Sequence, residues 1–126
     1  MYKKQSKQLG VTDFGMPLGL KLDPENRWVK KAETIPWEEI EQRYAALFES
    51  ETGNVAKPLR LALGALVIQT QRQISDTEVP LQIQETPCLQ YFCGMPGYVD
   101  ALPFEASSMV HFRKRLTPEI WAKSTK

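Results

Sequence analysis

A chain of 126 residues with 42% hydrophobic residues has room for one ordinary domain with a modest core. Its 16 Lys plus Arg are offset by 15 Asp plus Glu, so total charge gives no sign of a polyanionic partner, and any such sign must come from where the charges sit. The longest apolar stretch, Leu61 to Ile68, is far shorter than the roughly 20 residues of a membrane helix, and Met1-Tyr-Lys-Lys-Gln-Ser leads into no apolar signal core. A cytoplasmic protein with no membrane partner is expected. Two cysteines, one histidine and no Cys-x-x-Cys leave no disulfide staple and no zinc constellation, so neither a metal nor a cofactor is expected.

In chain order, residues 1–33 are rich in Lys, Gly, Pro and Asp, and their large apolar residues (Leu9, Phe14, Leu18, Leu20, Leu22) keep no helical period. They read as an extended, partly docked arm in which Asp23-Pro24-Glu25-Asn26 starts a short helix carrying Trp28 and Val29. The helical domain spans 34–126. Its first helix follows Ile35-Pro36, where Trp37, Ile40, Tyr44, Leu47 and Phe48 recur at three-and-four spacing, and Gly53-Asn54 ends it. Pro58 opens a second helix that is apolar on nearly all sides from Leu59 to Ile68, the expected centre of the core. Ala62, Gly64 and Ala65 leave little bulk on one side, which lets a neighbouring helix come close.

Ser75 or Asp76 is expected to cap a third helix containing Glu78, Pro80 and an inward Ile83. Pro87 begins a short fourth helix, Cys88 to Cys93, closed by Gly94, with Tyr91 and Phe92 in the core. Residues 95–104 have the Pro and Gly density of a loop. Ser107 or Ser108 is expected to cap the last strong helix, Met109 to Leu116, before Thr117-Pro118 restarts another. Two Gly-Met-Pro occurrences sit in unrelated stretches of sequence. No segment of length alternates as a strand does. The fold class is all-α: a compact multi-helix domain with helix-turn-helix-like elements and an extended N-terminal arm.

Charge is unevenly spread. From Trp37 to Glu51 there are five Glu and one Arg, whereas from His111 to Lys126 there are five cations and one Glu. On the last helix Met109, Phe112 and Leu116 share one side, while His111, Lys114 and Arg115 share the other. Arg113 falls beside the apolar stripe and is assigned instead to a salt bridge with a carboxylate such as Asp76. Hydroxyls and amides at Ser107 and Ser108 suit phosphate, and outward cations suit phosphates or base edges. On pattern alone, a solvated basic face accounts for the same residues.

The segments Leu22-Asp-Pro-Glu-Asn-Arg-Trp-Val29, Ile35-Pro-Trp37, Pro58-Leu-Arg-Leu-Ala-Leu-Gly-Ala-Leu-Val-Ile-Gln69, Ile74-Ser-Asp76, Gln90-Tyr-Phe92, Pro103-Phe104 and Val110-His-Phe-Arg-Lys-Arg-Leu116 add a second line of inference. In that order they resemble the N-terminal domain of DDE-type transposases of bacterial insertion sequences, the group that includes the InsH-like enzymes. The resemblance runs from about residue 14 to 118. It departs at Thr77-Glu-Val-Pro80, where the family has Arg-Glu-Thr-Val, and at Thr86-Pro-Cys88, where it has Asn-Pro-Tyr.

The resemblance implies a helical domain that recognises terminal inverted repeats in DNA transposition and helps assemble the transposase, near the bacterial nucleoid. The RNase H-like catalytic domain, whose two Asp and one Glu hold divalent metal, lies outside these residues. Asp13, Asp23, Asp76 and Asp100 sit in turns or at a helix cap, so no catalytic residue and no enzyme activity of its own are expected.

The expected partner is therefore double-stranded DNA at transposon ends, bound by Ser107, Ser108, His111, Lys114 and Arg115, with Lys3, Lys4 and Lys7 adding phosphate contacts. No small-molecule substrate is expected. The alternative is an assembly module, in which the acidic helix and the Leu59 to Ile68 helix form a homodimer contact and DNA is held elsewhere. Adjacent Glu38 and Glu39 do not converge on a substrate, and Cys93 has no base in view.

Overall fold

Proline, asparagine and serine punctuate the chain where its helices begin. The computed structural model describes residues 10–45 and 58–116, and among these the α-helices are α1 Arg27–Thr34, α2 Trp37–Ala45, α3 Leu59–Arg72, α4 Glu78–Glu85, α5 Pro87–Phe92 and α6 Ser108–Arg115. The fold is all-α. Asn26 caps α1, its Oδ1 accepting from the Trp28 and Val29 amides at 2.8 and 3.4 Å. The carbonyls of Pro36 and Pro58 accept the first intrahelical bonds of α2 and α3, from Ile40 and Ala62. Leu47, Phe48 and Gly53-Asn54 at the expected end of α2, Leu9, and the helix expected after Thr117 lie outside the described residues.

The α3 helix is the centre, as its sequence implied. Leu59 to Ala65 and Ile68 are all buried, and α3 lies against α2, α4, α5 and α6. A Cβ on Gly64 would sit 2.9 Å from Cys93 Sγ and 3.5 Å from a Phe92 ring carbon, so the missing side chain is what lets α5 approach this closely. Phe92 is fully buried and takes the rings of Trp28 and Trp37 edge-on, with centroids 5.0 and 5.5 Å away. Through Trp28, Val29 and Ala32, α1 carries the stretch from Arg27 onward into this core, where it packs on α5.

Two buried polar side chains complete the centre. Arg60 donates from Nε to the Phe92 carbonyl at 2.9 Å and from Nη2 to the Tyr91 carbonyl at 3.0 Å, satisfying the C-terminal end of α5. Its guanidinium also lies 4.7 Å from the Trp37 ring centroid, and burial pulls its pKa down from the usual arginine value. Gln90 donates from Nε2 to the carbonyls of Ile83, Gln84 and Val99 and accepts at Oε1 from the Val99 amide. One amide side chain thereby pins the loop after α5 to the end of α4.

The arm docks by Phe14, which is buried with its ring edge-on to Tyr91 at 6.0 Å. Beside it the two Gly-Met-Pro segments, unrelated in sequence, meet in space. The Gly15 amide donates to the Pro96 carbonyl at 3.0 Å, and the Tyr98 amide donates to the Gly15 carbonyl at 2.7 Å. This single parallel bridge needs glycine, because a Cβ on Gly97 would fall 2.9 Å from the Gly15 oxygen.

Of the two helix starts expected to carry a side-chain cap from this set of residues, one follows expectation and one does not. At α4, Ser75 Oγ accepts from the Glu78 amide at 3.2 Å, whereas Asp76 turns away toward Gln69 and Arg113. Pro80, the third residue of α4, lies in the first turn, where an amide has no intrahelical partner to lose. At α6 neither Ser107 nor Ser108 makes a side-chain cap, because a turn precedes the helix and Ser107 is already in helical geometry. The amides of Ser108, Met109 and Val110 donate to the carbonyls of Glu105, Ala106 and Ser107, which occupies the donors a serine cap would otherwise serve.

Candidate nucleic-acid interface

Helix α6 is held on its inner side by Met109, Phe112 and Leu116, all buried, with Phe112 packed edge-on against Phe104 at 5.1 Å. At roughly 100° per residue this stripe turns the opposite side outward. Ser107, Val110, His111 and Lys114 occupy that outward side, Ser107 in the turn leading in, and all four are exposed. Ser108 is half-buried. With the Ser108, Met109 and Val110 amides already engaged, the phosphate contact expected at this end falls mainly to the serine hydroxyls.

The two arginines flanking the outer face are anchored to different neighbours. Arg113 grips Asp76 through two parallel bonds of 2.9 Å and also donates to Gln69 Oε1 at 3.2 Å. This is the salt bridge expected from its place beside the apolar stripe. The guanidinium, aided by Gln69, holds the Asp76 carboxyl well down, at about 2. On the other flank, Arg115 hydrogen-bonds Tyr44 of α2, whose phenol burial pushes above its usual pKa. Of the cations assigned to DNA, His111 and Lys114 therefore stand on the outer face, while Arg115 stands exposed at its edge against α2.

Other candidate groups have structural employment. Asp13 accepts from the Gly10 amide, Asp23 from the Glu25 amide and Asp100 from the Gln84 side chain. Cys93 is sealed between α3 and α5, and burial raises its thiol to about 12, far from nucleophilic. Among the described residues no three of His, Cys, Asp and Glu gather where they could share a metal ion.

Sequence reasoning passed over Val110, whose 44% exposure puts an aliphatic group on the polar face, between Arg113 and Lys114. The signal was present, since position 110 lies one turn before 114 and opposite the 109, 112, 116 stripe. A groove of about 590 Å³ opens beside α6, floored by Ile35, Leu63, Leu66, Val67 and Leu116 and rimmed by Lys31 and Arg113.

Residues 17–115, from the arm to the last residue of α6, match the family model described as transposase domain (DUF772). The chain belongs to that transposase domain family. The match takes in all six α-helices of the described residues. A curated relative, "Uncharacterized protein ORF8 in nfe locus" of Rhizobium meliloti, is 30% identical over 98 residues, covering 78% of this chain and 47% of that protein. The transposase domain thus spans about half the length of the curated relative it matches. No solved structure matches it. None of its described helices is long and apolar enough to cross a membrane.

Proposed function

We propose that this transposase domain binds double-stranded DNA at the terminal inverted repeats of its element, laying the outer face of α6 into a groove, and that strand chemistry belongs to a catalytic domain elsewhere in the transposase. The observation that carries the reading is the exposure of His111 and Lys114 on a helix fixed from behind by Met109, Phe112 and Leu116. A rigid helix presenting donors at one-turn spacing loses little conformational freedom on binding, and its cations displace counterions from the phosphate backbone. Arg115 and the hydroxyls of Ser107 and Ser108 serve phosphates at the edges. Lys3, Lys4 and Lys7, outside the described residues, add further non-specific contacts. Such a protein acts at the bacterial nucleoid.

The test is a fluorescence-anisotropy titration of a terminal-repeat duplex at two salt concentrations, with wild type and with His111, Lys114 and Arg115 changed to Ala. Affinity should fall as salt rises, with a log-log slope of roughly one per phosphate neutralised, and the triple variant should lose most of it. Equal binding of unrelated duplexes, or undiminished binding by the variant, defeats the reading.

The groove beside α6 favours a second reading, assembly of the transposase. Most of the Leu59 to Ile68 helix is consumed by the core, but Leu66 and Val67 reach the groove floor with Ile35 and Leu116. Light scattering separates the two, because a dimer that forms equally with and without DNA supports assembly.

A further inference from the structure

We infer that Val110 is a specificity residue, reading the 5-methyl group of a thymine in the major groove while His111 and Lys114 meet acceptor edges or phosphates beside it. This rests on the DNA-binding reading of α6 and names what that face selects. Beyond Ser107, the outer face sets one aliphatic side chain, Val110, beside two nitrogen-bearing ones, His111 and Lys114, over little more than one turn. A solvated helix face gains nothing from valine, which is a poorer helix former than Lys, Glu or Ala and here keeps 44% of its surface in water.

The other large apolar residues exposed in the described part are placed differently. Leu18, Leu20, Val99 and Leu102 lie in turns and loops, and Leu81 lies on α4, which leaves Val110 as the exposed one on the basic helix.

The anchors on either side define how that face can dock. Arg113 is fixed by Asp76 on one flank and Arg115 is bonded to Tyr44 on the other, so the strip between them projects as a ridge rather than lying in a cleft. A ridge one helix wide suits the major groove, which is about 12 Å across. There a thymine offers one apolar group, its methyl, next to its O4 acceptor, and a neighbouring guanine offers N7 and O6. An aliphatic side chain flanked by donors complements that pattern. The ligand class is a B-form duplex with a thymine beside a purine acceptor.

The experiment uses the full 126-residue chain. Duplexes it retains are selected from a random-sequence pool, and each thymine of the winning site is then replaced in turn by deoxyuridine, which removes only the methyl. At one position the replacement should weaken wild-type binding about fourfold, the worth of one buried methyl group. V110A should bind the parent duplex less well by about fourfold to tenfold and become indifferent to deoxyuridine at that position, whereas V110T, which keeps one methyl, should retain part of the discrimination.

A V110A protein that still pays the full deoxyuridine penalty, or a wild type for which no thymine matters, overturns the inference while leaving DNA binding by α6 intact. If H111A and K114A bind the selected duplex as wild type does, or the pool yields no retained duplex, the α6 reading itself falls and this inference with it.

Discussion

Helices α2 and α6 lie against the same central helix by the same device and face water with opposite charge. On the inside, α2 buries Trp37, Ile40 and Tyr44, and α6 buries Met109, Phe112 and the following Leu116. On the outside, α2 shows Glu38 and Glu39 where α6 shows His111 and Lys114. The fold needs only the apolar stripe at three-and-four spacing, so either outer face could be recharged without disturbing the core. Charge on these faces is thus free to be set by a partner, and the basic one alone suits a polyanion. The two helices also touch, through Arg115 and the Tyr44 hydroxyl, so α6 is steadied from the α2 side.

If the inner faces are equivalent, Ile40→Ala and Phe112→Ala should each lower the free energy of unfolding by about 2–5 kcal/mol, as read from urea denaturation. A loss under 1 kcal/mol at either, small against that range, would mean that one helix is an appendage rather than part of the core. Next in size comes the support beneath them both. Arg60→Ala strands the Phe92 carbonyl in an apolar setting and takes one of two donors from the Tyr91 carbonyl, which keeps the Gly94 amide, and about 1–3 kcal/mol should be lost for the unsatisfied group. Arg60→Lys should recover less than half of that loss, since one ammonium cannot reproduce the fork that spans both oxygens.

The comparison also explains what the sequence could and could not disclose. The two stripes were legible because helical periodicity is local, and the Arg113 salt bridge was legible because a cation at the edge of a stripe must meet whatever packs beside it. Arg60 was not, since an arginine in an apolar run reads as an outward residue until the end of α5, some thirty positions on, is brought over it. Gln90 and the Gly15–Gly97 bridge were hidden for the same reason, their partners being set by tertiary approach alone. The serines before α6 misled in the other direction. They carry the cap signature, but the turn from Glu105 to Ser108 uses the amides first. Of the candidate interface, the outward cations were legible, whereas the anchoring of Arg115 on Tyr44 and the exposure of Val110 emerged only with the packing of α6 on α2 and α3.

The outer faces should separate where the inner ones agree. Lys114→Ala is expected to leave stability within about 0.5 kcal/mol of wild type in urea, yet to reduce the salt slope of DNA binding by about one. Glu39→Gln should do neither, costing only the exposed Glu39–Arg43 pair at 3.0 Å, worth a few tenths of a kcal/mol (about 0.3–0.5) for such a helical spacing. A Glu39 variant that changed the salt slope as strongly as Lys114→Ala would show that DNA senses the whole surface rather than α6.

The smallest effect concerns the tie between α6 and the stretch leading into α4, the Arg113–Asp76 pair. The Asp76 carboxyl is held at about 2 in the fold, below its ordinary 3.8, so the folded state favours the ionised form. Its contribution is complete above the unfolded pKa and drains away as pH falls from near 3.8 toward about 2. Stability measured across that window should fall with acid more steeply in wild type than in Asp76→Asn, and the two curves should run parallel at neutral pH. The difference will be modest, since both partners are partly exposed and water screens the pair. DNA binding gives the sharper reading of the same variant. Arg113 is held off the outer face by Asp76, so the asparagine variant should keep the affinity of α6 for DNA, and a large loss would mean that the pair, rather than the apolar stripe, is what aims the helix.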